Sequence, residues 1–321
     1  MRTRFPQAHI AALVNSYNAP VLEHNPDVDA VHAYTKAKHR GAGESLFAVY
    51  WRRWRLFSGL RKARFDYALI ASAPPLDKAL KLARWVRAQH IIGFARAGEA
   101  PRGVDIPIPY QTASARHQVE ELAPLLQPFG IQGRMPAMRV APDPIALEHA
   151  RRRVDQTGWR GGGPRLLGIH ISARKVPQRW PAERFIQLLH ALHAQWRCRF
   201  LLFWSPGDEN NPHHPGDDQK AAAILAACAD LPVQAFPTET LQQLIAGLAL
   251  TQRVVCSDGG AMHVAAALGK PIVCLFGNSD AEVWHPWGVE HELLQRPSRD
   301  VRDIPLAAVV AAYERLEGRL A

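Results

Sequence analysis

From Val254 to Pro286 the chain reads VVCSDGGAMHVAAALGKPIVCLFGNSDAEVWHP, and its sharpest candidate chemistry lies near the start of that run. An apolar β-rich stretch ends at Ser257, and Asp258-Gly259-Gly260 turns the chain into a helix of small residues. The two glycines admit φ > 0 and let a ligand approach the backbone closely. The free N–H groups at the start of that helix, together with its dipole, make a ready anion site. His263 falls in the first turn, near enough to donate to the same anion. The plain alternative is an Asp258 that only caps the helix and a His263 satisfied within the core.

A second segment, Gly168–Pro181, reads GIHISARKVPQRWP: a strand, a polar loop, then Trp-Pro opening a helix, with proline in its first turn. Ser172, Arg174, Lys175 and Arg179 are four donors suited to pyrophosphate oxygens, unless the loop is simply a solvated basic one. A third segment, Ser45–Phe65, places Phe47, Tyr50, Trp54 and Phe57 on one helical face. It carries Arg52, Arg53 and Arg55 among six basic residues, with no acid between Glu44 and Asp66. Basic aromatic helices suit anionic membrane surfaces; the competing reading is core packing with a solvated basic face. Asp208, Glu209, His213, His214, Asp217 and Asp218 look metal-like but lack ligand spacing, so no metal is expected. GxSxG, Walker and GxGxxG sequences are absent, which removes hydrolase, P-loop and NAD readings.

Alternating elements must carry these loops. Strands are expected at Ile10–Val14, Val28–Tyr34, Tyr67–Ala71 and His90–Phe94. Helices are expected around Leu46–Lys62, Lys78–Ala88 and Gln118–Leu126. An Arg-rich helix from Asp143-Pro144 to about Thr157 precedes a Gly161–Pro164 break. A second series follows: strand Arg165–Ile171, helix Ala182–Trp196, strand Phe200–Trp204, helices Gln219–Ala229 and Leu241–Ala249. Then come strand Arg253–Ser257, helix Ala261–Leu268, strand Pro271–Phe276 and a last helix near Pro305–Leu320. Strands separated by such helices imply parallel sheets in two doubly wound α/β halves, 1–150 and 151–321, with the boundary between 142 and 164. Ligands of such folds bind at the carboxyl ends of the strands.

The chain's 321 residues fit two domains, and 47% apolar with 21% charged residues is ordinary globular composition. The formal charge is +10, and residues 1–150 hold 20 basic against 12 acidic residues, so the first half should meet something anionic. Nucleic acid is the poorer partner, because no binding motif accompanies the charge. Cys198, Cys228, Cys256 and Cys274 form no CxxC pair and read as buried thiols. No signal peptide or membrane-length apolar run is seen, and the expected compartment is the cytosol.

The Val254–Pro286 segment resembles the signature of glycosyltransferase family 9, the bacterial heptosyltransferases. The residues that carry the likeness are Asp258, Gly259, Gly260, His263, Ala265, Ala266, Pro271, Leu275, Phe276, Gly277, Trp284 and Pro286. The Ser172–Arg179 loop ahead of Trp180-Pro181 is similar to the family's first loop in the second domain. There the family often has Lys two residues before the Trp; Gln178 stands here, with Arg179 or Lys175 as substitutes. The resemblance implies a GT-B architecture, two Rossmann-like domains facing a cleft, and a metal-independent, inverting transfer with no cofactor. It implies an ADP-heptose donor held by the second domain, with Asp258 toward the sugar and Gly259, Gly260 and His263 toward the pyrophosphate. The acceptor would be a phosphorylated lipopolysaccharide core or lipid A at the anionic inner-membrane surface, met by Arg52, Arg53 and Arg55. The last helix could pack back on the first domain.

The likeness reaches the first half more weakly, through Arg4-Phe5-Pro6, Ala19-Pro20 and Asn25–Asp29. Members begin with a strand, a Gly-Asp loop and a helix, and Met1 falls where that helix should be ending. The first domain is therefore expected to lack its first strand, and the carboxylate base would lie upstream of Met1. A late start and a truncated, inactive nucleotide-sugar or membrane-surface binding relative both account for this.

Overall fold

The computed structural model describes residues 1–34, 45–96, 98, 102–110, 116–156, 158, 165–211 and 215–321. The glycine-rich break at 161–164 lies outside them. The chain divides into two units: Met1–Leu22 with Pro26–Met135, and Glu23–Asn25 with Pro136–Ala321.

In the first unit, β1 (Ala11–Asn15) and β2 (Ala30–Tyr34) pair in parallel, Ala11 opposite Ala30. Helix α1 (Leu46–Lys62) starts where the Ser45 hydroxyl accepts the Ala48 N–H at 3.2 Å. Arg61 and Lys62 in its last turn complement the helix dipole. Next come β3 (Tyr67–Leu69), α2 (Asp77–Val86), β4 (His90–Ala95) and β5 (Ile106–Pro109). A short α3 (Gln118–Leu122) then tightens into a 3-10 turn over Ala123–Phe129. Strands β3, β4 and β5 form a parallel sheet in that order, separate from the β1–β2 pair. Among the described residues β1 and β3 each keep an unpaired edge, and all five β1 residues are only half-buried. Phe57, Leu60 and Val86 form one small core, and Ile92, Phe94, Ile108 and Leu125 another.

The second unit begins with α4 (Pro144–Asp155), capped by Asp143, whose Oδ1 accepts the Ala146 N–H at 2.7 Å. It continues with β6 (Leu166–His170), α5 (Ala182–Trp196), β7 (Arg199–Trp204), α6 (Asp218–Ala227), β8 (Val233–Pro237) and α7 (Leu241–Ala249). The rest is β9 (Arg253–Ser257), α8 (Gly260–Ala267), β10 (Ile272–Phe276), α9 (Ala281–Trp284), β11 (His291–Gln295) and α10 (Leu306–Leu320). All strands are parallel, in the order β11-β10-β9-β6-β7-β8. Strands β6, β7, β9 and β10 are apolar runs buried on both faces, as covered parallel strands must be. Helices α5, α6 and α10 cover one face around Leu188, Leu189, Leu192, Ile224 and Tyr313.

Three strands escape the sequence reading: β5, β8 and β11. Each is an edge of its sheet, so it shows no continuous buried run, and β5 and β8 contain proline, which edges tolerate. The division between units falls at Met135–Pro136, ahead of the 142–164 break, because α4 packs on α7. Glu23–Asn25 joins the second unit through His24 Nε2 to Asp143 Oδ2 (3.1 Å) and Asn25 Nδ2 to the Arg139 carbonyl (3.1 Å). Helix α10, considered as a return onto the first domain, lies on its own unit's sheet, with Val309, Ala312, Tyr313 and Leu316 fully buried in that core. The four cysteines are buried free thiols, as read.

The two units should therefore differ in local stability. Hydrogen exchange is expected to show weak amide protection in strands β1–β4 and strong protection in strands β6–β10; uniform protection of both sets would contradict the split of the first unit into two small sheets.

Candidate active site

Strands β6 and β9 are neighbours, and the strand order reverses between them. Successive crossovers leave from this point in opposite directions, so the loops after β6 and β9 part and open a crevice at the strands' carboxyl ends. Those two loops are the Ser172–Arg179 and Asp258–His263 segments. The fold thus brings together two motifs that lie some 80 residues apart in sequence.

A side-chain bridge joins them. Gln178 Nε2 donates to Asp258 Oδ2 at 2.6 Å and to Ser279 Oγ at 3.0 Å, tying the loops after β6, β9 and β10 into one cluster. Both Gln178 and Asp258 are buried. The bridge needs the β6 loop to lie close on Gly277: a Cβ there would sit 2.3 Å from the Pro177 carbonyl oxygen. Gln295 Nε2 donates to the Gly277 and Ser279 carbonyls (2.8 and 3.0 Å), fixing the third loop from β11. Trp180 anchors the first loop from below, with its indole N–H on the Ile304 carbonyl (3.1 Å) and its ring edge-on to Phe185. Pro181 occupies the N-cap of α5 rather than its first turn.

Gly259 caps α8 in extended backbone, φ 160° and ψ −171°, and has no side chain to satisfy the first N–H groups. Neither glycine needs the left-handed conformation that its type allows. Their use is space: a Cβ on Gly259 or Gly260 would meet nothing within 4 Å. His263 stacks edge-on against Trp284, centroids 6.1 Å apart, so two distant parts of the signature meet here. Burial lowers the His263 pKa, and the nearby Asp258 carboxylate offsets that only in part. That favours the neutral imidazole, which carries one N–H.

The four donors of the β6 loop divide into two pairs. Arg179 is committed to the fold, with Nη2 on buried Asp217 Oδ1 at 2.5 Å, and the Ser172 hydroxyl accepts the Ser205 N–H at 2.9 Å. Arg174 and Lys175 are exposed. Beneath them Lys220 Nζ donates to the Ile171 carbonyl at 2.9 Å, and burial brings its pKa down to about 8. Burial raises the Asp217 pKa against the pull of Lys220 and Arg179. Of the metal-like run, His213 and His214 lie outside the described residues, while Asp218 holds the Trp204 indole N–H at 2.7 Å. Among the described residues no group of three or more His, Cys, Asp or Glu converges as a metal site. Gln178 and Ser279 are the site residues that motif reading missed. The signal was Gln178 itself, a neutral residue where a cation was anticipated.

In the first unit Arg52 and Arg55 are exposed, whereas Arg53 is half-buried, its guanidinium over the Tyr34 and Trp85 rings at 5.7 and 5.9 Å. Arg52 and Arg55 line a cavity of about 360 Å³ with His32, Leu56, Gly59 and Leu60. Phe57, expected beside Phe47, Tyr50 and Trp54, faces the core instead, edge-on to Trp85 at 5.1 Å.

Comparison with known proteins identifies the family. The model of glycosyltransferase family 9 (heptosyltransferase) matches residues 53–301. The chain belongs to that family. It is a glycosyltransferase with the GT-B fold. Lipopolysaccharide heptosyltransferase 3 of Escherichia coli is 25% identical, covering 98% of this chain and 92% of that protein. Lipopolysaccharide heptosyltransferase 2 of Salmonella typhimurium is 26% identical over 89% of this chain and 79% of its own length. Two solved structures share the fold: E. coli ADP-heptose lps heptosyltransferase II, with TM-score 0.73, 20% identity and coverage of 100% and 93%, and E. coli heptosyltransferase WaaC with ADP, with TM-score 0.75, 18% identity and coverage of 98% and 92%.

Gly277 and Gly260 differ in the room around them. Gly277→Ala is expected to lose about 1–3 kcal/mol of stability, because backbone must move to admit the methyl group. Gly260→Ala, in a helix and facing open space, should leave stability unchanged or raise it by up to about 1 kcal/mol. Urea denaturation measures both; equal losses would remove the distinction.

Proposed function

We propose that this protein is an inverting, metal-independent heptosyltransferase that moves heptose from ADP-heptose to a phosphorylated lipopolysaccharide core or lipid A acceptor. The observation that carries this reading is the Gln178–Asp258–Ser279 cluster at the β6/β9 reversal, in a chain of the family whose relatives are named lipopolysaccharide heptosyltransferases. The donor pyrophosphate would lie over the uncapped start of α8, in the space before Gly259 and Gly260. Backbone N–H groups, the His263 N–H and the exposed Arg174 and Lys175 would meet its oxygens. Ser172 and Arg179 would hold the loop's shape from behind.

Asp258 has one carboxylate oxygen held by Gln178 and the other without a hydrogen bond among the described residues. That free oxygen is suited to accept from a sugar hydroxyl. As the glycosidic bond breaks, negative charge grows on the departing ADP, and fixed donors around the diphosphate stabilise it in the role a metal plays elsewhere. Loss of the acceptor's hydroxyl proton to a carboxylate completes the in-line attack; no side chain described above is assigned that task. Arg52, Arg53 and Arg55 would serve the acceptor side in the first unit, toward phosphates of the acceptor and of the inner-membrane surface at its cytoplasmic face. Arg53, packed on two rings, would act chiefly by holding the helix.

Calorimetry with ADP-heptose should show Asp258→Ala, Gln178→Ala and His263→Ala each binding about tenfold to a hundredfold more weakly, since a charge-assisted contact is worth roughly 1.5–3 kcal/mol. For ADP alone, Asp258→Ala and Gln178→Ala should change little, because Asp258 would meet the sugar and Gln178 would act by holding Asp258. Unchanged ADP-heptose affinity in all three variants would overturn the donor assignment. Turnover is tested with heptose-deficient lipopolysaccharide in detergent and chelator, where ADP release is expected. Arg52→Gln with Arg55→Gln should raise the acceptor KM without moving the donor KM. Donor binding without ADP release would identify a non-catalytic nucleotide-sugar binder.

A further inference from the structure

Helix α1 carries two apolar stripes, and only one is covered. Val49, Leu56, Phe57 and Leu60 face inward, Phe57 and Leu60 meeting Val86 of α2. The second stripe, Phe47, Tyr50, Trp51 and Trp54, follows the i, i+3, i+4, i+7 spacing of a single helical face. It is left in solvent: 77%, 57%, 53% and 59% exposed. The rings are ordered against one another, Phe47 on Trp51 at 6.5 Å and 14°, Trp51 on Trp54 at 5.1 Å and 22°. They form a continuous aromatic ridge along two turns. Arg52 and Arg55 are exposed beside it, Arg61 and Lys62 follow in the last turn, and none of the seventeen helix residues is acidic.

We propose that this ridge is a docking surface for an anionic lipid bilayer, on which α1 lies in the plane of the interface. Indole and phenol rings have an apolar body and a polar edge, so they settle at the boundary between headgroups and acyl chains. Arginines on the same helix then reach lipid phosphates, and aromatic burial and charge attraction act together. The charge also separates this occupant from a second copy of the chain: two such helices packed ridge to ridge would bring their arginines together with no acid on either to offset them. The inference rests on the proposed lipid-borne acceptor only for its purpose. The ridge belongs to the first unit and the donor site to the second.

The test uses the full chain with two vesicle compositions, phosphatidylcholine alone and phosphatidylcholine with phosphatidylglycerol. Co-sedimentation should favour the anionic vesicles and weaken with salt as the Debye length shortens. Brominated acyl chains in those vesicles should quench tryptophan emission. The variant Phe47→Ser, Trp51→Ser, Trp54→Ser should bind anionic vesicles at least about tenfold more weakly while retaining every basic residue. The milder Trp51→Phe, Trp54→Phe variant should keep vesicle binding and lose most of the quenching, which places the rings themselves in the lipid. Both should retain ADP-heptose affinity and turnover on detergent-dispersed acceptor, so failure here is distinguishable from failure of the donor reading. Wild-type levels of vesicle binding in the serine variant would overturn the proposal. So would a wild-type dimer that the serine variant dissolves, since the ridge would then be covered by a second copy.

Discussion

Strand order reverses between β6 and β9, and the site depends on that reversal. Helices on opposite faces of the sheet draw the chain away in opposite directions, so the loops after these strands cannot cover the sheet's end between them. A polar ligand can reach backbone there without a hole being made in the core. The Gln178 amide spans the opening, held on one side by Asp258 and on the other by Ser279. Everything around it serves that placement: the missing side chain at Gly277, the buried Trp180 anchor, and Gln295 reaching in from the edge strand.

Charge around the site is used in two ways. Arg179 and Lys220 lie half-buried around the fully buried Asp217 below the β6 loop, where an unpaired charge would cost several kcal/mol. They shape the loop and have little freedom to meet a ligand. Arg174 and Lys175 stay in solvent, where an anion can recruit them at small desolvation cost. Sequence alone treats all four donors of that loop alike, because burial, not residue type, separates the structural cations from the available ones.

The first unit is built under a looser constraint. Its strands form two sheets, its cores are small, and α1 is held by one stripe while a second faces solvent. Arg53 shows how local the decision is. It lies between exposed Arg52 and Trp54, yet its guanidinium is sandwiched near Tyr34 and Trp85 because α1 turns that position toward α2.

Helices 182–196 and 241–249 and strand 253–257 were legible to the residue and helix 46–62 closely so, the helices from their apolar spacing and the strand from a short apolar run. The Asp258-Gly259-Gly260 turn and the Trp180-Pro181 loop were legible as candidate sites for the same kind of reason: a short-range pattern has a short-range physical cause. Edge strands β5, β8 and β11 were not, because an edge is half-solvated and leaves a mixed pattern. Long-range partnerships were hidden too. Nothing in the order of residues says that Gln178 would meet Asp258, that Arg179 would be spent on Asp217, or that Phe57 would turn inward while Trp51 joined the exposed rings. Periodicity determines which faces of an element are apolar; only the packing of elements decides which of those faces is covered.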